Sequence, residues 1–292
     1  MEIIIAEKSG LCYGVKRALN IARTTRRTKT GPVSTLGDLI HNPGVVADLE
    51  SRGIHSVSSP DGVGGGTVII RSHGVSPDVY ALLARKKVGV VDATCPIVRR
   101  IQRRVEALAR TNREIVIVGD RKHPETRGLL GYSRGRGIVV ETEAQARALP
   151  RRASRAVLAQ STVDSGRFAK VVASLVGRTD ELTVHNTICR STTTRRDAAT
   201  RLASRVDVLF VVGGRTSSNT AHLYRSAKKI QPRTFFIEDS GGIEPRMLRG
   251  AVTIGISGGA STPPEAIQRT VEKIQAIIEH KNPREKSVQC QM

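Results

Sequence analysis

"TVIIRSHGVSPD", residues 67–78, is the phrase on which the fold turns. A β-branched run without polar alternation reads as a strand buried on both faces. A short polar loop follows, and Ser76-Pro77 opens a helix, because proline at the first helical position forfeits no hydrogen bond. The phrase recurs as "EIVIVGDRKHPE" (114–125), "VLFVVGGRTSSN" (208–219) and "VTIGISGGASTPPE" (252–265). Such repetition of strand, loop and helix start predicts parallel α/β architecture with crossover helices. Prolines after capping residues mark further helix starts at Asn42-Pro43, Cys95-Pro96, His123-Pro124 and Thr262-Pro263. Thr262 with Glu265 makes a capping-box pattern, and Ile267, Val271, Ile274 and Ile278 give the last helix one apolar face as far as about His280. The glycine-rich "DGVGGGTVII" (61–70) precedes a strand instead of opening a helix, so it reads as a turn and not as a dinucleotide fingerprint. The polar tail from 281 to 292 is expected to fray, which makes Cys290 incidental.

With 292 residues, 39% of them hydrophobic, the chain can bury a sizeable core divided into two or three units. Its longest apolar runs, such as "VDVLFVV" at 206–212, are too short to span a bilayer, and "MEIIIAEKSG" lacks a secretory apolar region, so the cytoplasm is the expected compartment. The four cysteines, at 12, 95, 189 and 290, are scattered and include no C-x-x-C pair. This argues for reduced thiols and against a disulfide framework or a zinc ribbon. A net charge of +21 calls by itself for a polyanionic partner. The arginines are dispersed, however, and aromatics at 3% are poor material for stacking on bases, so nucleic-acid binding is not the expected role.

In open parallel sheets, ligands bind outside the carboxyl ends of the strands. His41 and Asn42, His73, Cys95, His123 and Glu125, Ser217 to Asn219, and Ser261 all fall in loops of that kind. Any one of them reads equally well as a helix cap; their recurrence points to a site. In "VVDATCPIVRR" (90–100), Cys95 ends a strand and begins a helix. Cys12 stands in the same position after "EIIIA", ahead of Gly14 and a helix with Val15, Ala18, Leu19 and Ala22 on one face, and Cys189 follows a third strand in "LTVHNTICRSTTTRR". Each cysteine alone is also readable as a buried small hydrophobe. Together they suggest one thiolate from each of three similar subunits of the fold, a donor set suited to an iron-sulfur cluster with one iron left open to a substrate oxygen. The neutral donors His41, His73, Ser217, Ser218, Asn219 and Ser261 suit a phosphate or diphosphate. Glu125 is the expected proton donor, and Gln160, Ser161 and Thr162 are placed to relay protons.

The ordered strings "GLCYGVKRAL", "LIHNPGVVADLESRGI", "RSHGVSP", "VVDATCPIV", "HPE", "QST", "TIC-x-S-T-T-x-R", "SSN" and "GGASTP" resemble those of the 4-hydroxy-3-methylbut-2-enyl diphosphate reductase family, which closes the methylerythritol phosphate route to isoprenoids. The resemblance runs from Cys12 to Pro263. It implies three similar parallel-sheet α/β domains in a pseudo-threefold cloverleaf around a central cluster, with domains at 13–96, 97–187 and 188–280 plus 1–12. It implies a 4Fe-4S cluster on Cys12, Cys95 and Cys189. Substrate contacts would come from His41, His73, His123, Thr192, Ser217, Ser218, Asn219 and Ser261, with Glu125 and His123 in proton delivery and Thr162 beside the substrate hydroxyl. The reaction implied is removal of that hydroxyl with two electrons, giving isopentenyl and dimethylallyl diphosphate. An acidic donor such as a ferredoxin or flavodoxin would find a basic approach surface in Arg99, Arg100, Arg103, Arg104, Arg195 and Arg196, which follow two of the cysteines. The competing readings are a paralogue acting on another allylic diphosphate and a basic polyanion-binding protein of the same fold.

Overall fold

The computed structural model describes residues 1–281, so Cys290 lies outside the described residues. The chain forms two compact units, Met1–Leu11 with Thr194–Met292, and Cys12–Thr193. Strand β1 (Glu2–Ile5) belongs to the first unit and helix α1 (Tyr13–Thr28) to the second. The second unit continues with β2 (Val33–Leu36), α2 (Pro43–Ser51), β3 (Ile54–Val57), β4 (Thr67–Ile70), α3 (Pro77–Arg85) and β5 (Gly89–Asp92). These strands form a four-stranded parallel sheet in the order β3-β2-β4-β5. After α4 (Pro96–Leu108) come β6 (Glu114–Val118), α5 (Pro124–Tyr132), β7 (Gly137–Val140), α6 (Glu143–Ala148), β8 (Arg152–Ala159), α7 (Ser165–Val176) and β9 (Thr179–His185). Their sheet has the same connectivity, β7-β6-β8-β9.

Helix α8 (Arg190–Ala203) leads to β10 (Val208–Val212), α9 (Ser218–Lys228), β11 (Thr234–Ile237), β12 (Thr253–Gly258) and α10 (Pro264–Lys281). The third sheet runs β1-β12-β10-β11, all parallel. Read from the other edge, it repeats the connectivity of the first two, with β1 in the place of β5 and β9. The edge strands β1, β5 and β9 therefore correspond, and each runs into one cysteine: Cys12 is the N-cap of α1, Cys95 that of α4, and Cys189 immediately precedes α8.

The apolar runs of the inner strands β4, β6, β10 and β12 are buried on both faces, as a parallel sheet requires. In β6, Val116 and Val118 pack toward Phe168, Val171 and Leu175 of α7, while Ile115 and Ile117 pack toward Ile101 and Val105 of α4 and Leu129 of α5. Each such side chain contributes about 1.5–3 kcal/mol by leaving water. One local expectation fails. Thr262 does not cap the last helix, which begins at Pro264; its hydroxyl donates instead to the Val212 carbonyl at 2.7 Å, tying the β12 exit loop to the end of β10. The glycine-rich stretch forms a turn, and Gly66, at φ +70°, sits where a Cβ would lie 2.2 Å from the Pro32 carbonyl oxygen.

Candidate active site

In the unit Cys12–Thr193, the half-buried Cys12, Cys95 and Cys189 are free thiols. Helix α1 comes so close to Cys95 that a Cβ on Gly14, two residues after Cys12, would lie 2.5 Å from the Cys95 sulfur. Burial pushes the Cys95 thiol up against the pull of the Ile97 and Val98 N–H groups at the start of α4, and negative charge on Cys12 and Cys189 pushes it further. Three sulfurs in electrostatic reach of one another oppose ionisation unless positive charge sits among them. A cationic iron centre removes that opposition, so the donor set fits a thiolate-bound cluster.

The exits of β2, β4 and β6 bring three imidazoles together. His41 stacks on His73 with ring centroids 4.4 Å apart, and His123 meets both rings edge-on at 5.3 Å. Burial lowers all three: His123 falls to about 4, and His41 and His73 also drop, His73 well below its ordinary value. They are therefore neutral at neutral pH. The Glu125 N–H donates to His123 Nδ1 at 3.2 Å, which leaves the ring proton on Nε2, free to donate to a ligand.

Glu125, in the first turn of α5, is 2% exposed. The Ser161 N–H donates to its Oε1 at 2.6 Å and the Ser161 hydroxyl to its Oε2 at 2.7 Å. Burial outweighs these two bonds and raises the carboxyl to about 7. The carbonyl of the same Ser161 accepts from the Cys189 N–H at 2.8 Å and from the Thr192 hydroxyl at 3.5 Å. One serine thus fixes both the carboxyl and the backbone of a cysteine. Beside it, Gln160 donates to Thr162 Oγ1 at 2.9 Å and accepts from Thr126 at 3.1 Å.

In the other unit, Ser217 caps α9, accepting from the Thr220 N–H at 3.3 Å, and the Ser261 hydroxyl lies 3.5 Å from the Ser217 hydroxyl. Ser218 is half-buried. Asn219 is buried with neither amide atom hydrogen-bonded among the described residues. Native proteins rarely leave such a group unmatched; a bound water or a polar ligand satisfies it.

Two arginines expected on an approach surface have internal work. Arg99 bonds Asp92 and the Tyr80 hydroxyl, the latter at 2.8 Å, and buried Arg195 donates to the Gly10 carbonyl at 2.9 Å. Arg196 is half-buried beside Asp197, while Arg100, Arg103 and Arg104 form an exposed face of α4. The sequence reading passed over Arg71, whose charge lowers all three histidines. The signal was an isolated arginine between a strand end and His73 in "VIIRSHG".

Repeated parallel sheets with a cysteine after each edge strand, with three clustered imidazoles and a buried carboxyl poised near neutrality at the strand exits, define an α/β protein whose thiols, imidazoles and carboxyl collect at the carboxyl ends of its strands. The chain belongs to the LytB protein family, whose profile matches residues 3–275. It is 39% identical to the 4-hydroxy-3-methylbut-2-enyl diphosphate reductase of Geotalea uraniireducens, over 97% of this chain and 100% of that one. The reductase of Aquifex aeolicus is 40% identical over 96% of this chain and 98% of its own. A solved structure of (E)-4-hydroxy-3-methyl-but-2-enyl diphosphate reductase, described as the terminal enzyme of the non-mevalonate pathway, aligns with a TM-score of 0.69 at 39% identity, over 94% of this chain and all of that one. The E-1-hydroxy-2-methyl-but-2-enyl-4-diphosphate reductase of Plasmodium falciparum, at 24% identity, shares the fold with a TM-score of 0.87 over 93% of this chain and 87% of that one.

Proposed function

We propose that this chain is the oxidoreductase that its relatives are named for, removing the allylic hydroxyl of 4-hydroxy-3-methylbut-2-enyl diphosphate to give isopentenyl and dimethylallyl diphosphate. The observation that carries the reading is the buried Glu125, poised near neutrality and held by a serine that also holds Cys189. Cys12, Cys95 and Cys189 would hold an iron-sulfur cluster of the 4Fe-4S kind, for which the chain offers these three thiolates. When bound, that cluster supplies electrons and a Lewis-acidic iron.

The remaining work belongs to the chain. His41, His73 and His123 offer neutral N–H donors to the diphosphate, and Thr192, Ser217, Ser218, Asn219 and Ser261 add hydroxyl and amide donors and acceptors. Glu125 keeps a proton at a pH where an exposed carboxyl has lost its own. The net reaction takes up two electrons and two protons, one leaving with the hydroxyl as water and one ending on the allylic carbon, and Glu125, recharged from solvent, is the group that passes them on. Gln160 and Thr162 are the amide and hydroxyl groups we assign to the substrate hydroxyl, with His123, whose Nδ1 accepts the Glu125 backbone N–H, as the second group in proton delivery. Electrons come from an acidic carrier of the ferredoxin or flavodoxin kind, met by the exposed arginines of α4. No helix among the described residues is long and apolar enough to cross a membrane. We place the enzyme in the cytoplasm, where thiols stay reduced.

Protein purified without oxygen is expected to be brown and to carry about four irons per chain. A colourless chain that gains neither iron nor sulfide on reconstitution refutes the cluster assignment and favours the competing reading of a basic polyanion-binding protein.

A further inference from the structure

The three imidazoles place one ring nitrogen each within 4.8 Å of one another, a donor count that by itself would also serve a divalent metal ion. The charge around them decides between cation and anion. Arg71 leaves the end of β4 two residues before His73, and its side chain crosses to the loop that leads from β2 to His41. There its guanidinium lies against Gly37, where a Cβ would fall 2.2 Å from the terminal nitrogen Nη1. Only glycine, at φ +68°, admits it.

The guanidinium is poorly compensated. Its Nε is buried and has no hydrogen-bond partner among the described residues. Arg127 of α5 stands near enough to repel it, and Asp38 is the carboxylate acting against that repulsion, with the weaker influence of the two. A half-buried cation with an unmatched donor and a like-charged neighbour is costly unless an anion reaches it. Its field is felt at His41, where it is the largest charge effect, and at His73 and His123. A metal ion among those rings would sit against this field, whereas a diphosphate would be drawn in by it. Neutral imidazoles, moreover, give an anion hydrogen bonds without countercharge.

We propose that Arg71 is a substrate-binding residue that supplies the positive charge for the diphosphate at the three-histidine pocket, with Arg127 as an outer reinforcement. The assignment rests on the functional reading above and adds to it the residue that makes the pocket select an anion. Arg71 binds and takes no part in the proton or electron steps, so its loss raises KM and leaves kcat in place.

The test uses anaerobic holoprotein and inorganic diphosphate as the probe. Its binding is followed by calorimetry in wild type, Arg71→Gln, Arg71→Lys and His73→Ala, together with iron content and the visible spectrum. In Arg71→Gln, the dissociation constant for diphosphate and the KM for the allylic diphosphate should rise together by roughly ten- to hundredfold, the scale of one charge-assisted contact. The spectrum, iron content and kcat should stay as in wild type, and Arg71→Lys should recover part of the affinity, since it keeps the charge and loses the fork. Unchanged diphosphate affinity in Arg71→Gln beside weakened affinity in His73→Ala overturns the role of Arg71 and leaves the pocket standing. If neither variant weakens diphosphate, both this proposal and the placement of the diphosphate at the histidines are wrong. Zinc binding to wild type that strengthens in Arg71→Gln, without any diphosphate binding, would identify the pocket as a cation site and likewise overturn the proposal.

Discussion

Replacing Glu125 with glutamine should cost the protein its turnover and increase its stability. The substitution is nearly isosteric. The Ser161 N–H can still donate to the amide oxygen in place of Oε1, and the amide NH2 can donate to the Ser161 hydroxyl, which rotates to accept. What changes is the cost of holding a charge without water. Burial raises the carboxyl from 4.5 to about 7, and each unit corresponds to about 1.4 kcal/mol, so the ionised side chain burdens the native state by roughly 3 kcal/mol at most. A carboxyl with a raised folded pKa favours the native state while it is protonated. That contribution is complete below the unfolded value near 4.5, declines as pH rises toward about 7, and is absent above it. Glu125→Gln should therefore match wild type near pH 4.5 and melt several degrees higher at pH 8, at ~2–4 °C per kcal/mol for a chain of this size. Differential scanning fluorimetry of the two proteins across that range reads the effect directly. The same variant should keep its cluster and substrate affinity and lose about a hundredfold or more in kcat, the usual scale for a deleted general acid. Parallel melting curves at every pH would refute the claim that burial tunes this carboxyl, and near-normal turnover would move proton delivery to His123 or Thr162.

Other expectations follow from the same geometry. Cys12→Ser, Cys95→Ser and Cys189→Ser should each lose the cluster, measured as iron and sulfide per chain, while Cys290→Ser should be silent. Gly14→Ala should lower cluster content without unfolding the chain, because the new methyl group would have to displace a sulfur 2.5 Å away. Arg155→Met should cost about 3–5 kcal/mol and lower the melting temperature, leaving iron content and KM alone. Arg155 is wholly buried and donates to Glu114 at 2.5 Å, to the Arg178 carbonyl at 2.8 Å and to the Pro150 carbonyl at 2.5 Å, so its removal leaves two carbonyls unmatched and leaves Glu114 with only its second arginine, Arg152. Reduction by an acidic protein donor should slow steeply as salt brings the Debye length to about 10 Å and below, while reduction by a small uncharged mediator should not; charge reversal at Arg100, Arg103 and Arg104 should remove the difference.

Most of the architecture was legible because its signals are local. Unbroken β-branched runs specify strands buried on both faces, and proline marks where α2, α3, α4 and α5 begin, as after Asn42, whose side chain accepts the Val45 N–H at 3.1 Å. The repeated phrase also put the cysteines at equivalent strand exits. Pairings between distant residues were not legible. Nothing in "QST" says that the serine, and not its neighbours, would clasp Glu125 through both backbone and side chain while its carbonyl receives Cys189. The capping-box pattern at Thr262 was misleading because a hydroxyl at that position has a competing acceptor, the Val212 carbonyl, brought beside it by the sheet. Arginine content likewise concealed roles: Arg195 reads as one more basic residue after a cysteine, but its guanidinium is spent on the Gly10 carbonyl.

The measurement that tests the account most directly is a single-turnover assay on anaerobically reconstituted wild-type protein, given 4-hydroxy-3-methylbut-2-enyl diphosphate and a low-potential reductant, with the products separated and counted against cluster content. The account predicts conversion to isopentenyl and dimethylallyl diphosphate in proportion to cluster loading. A fully loaded, reducible protein that returns the hydroxylated diphosphate unchanged would contradict it.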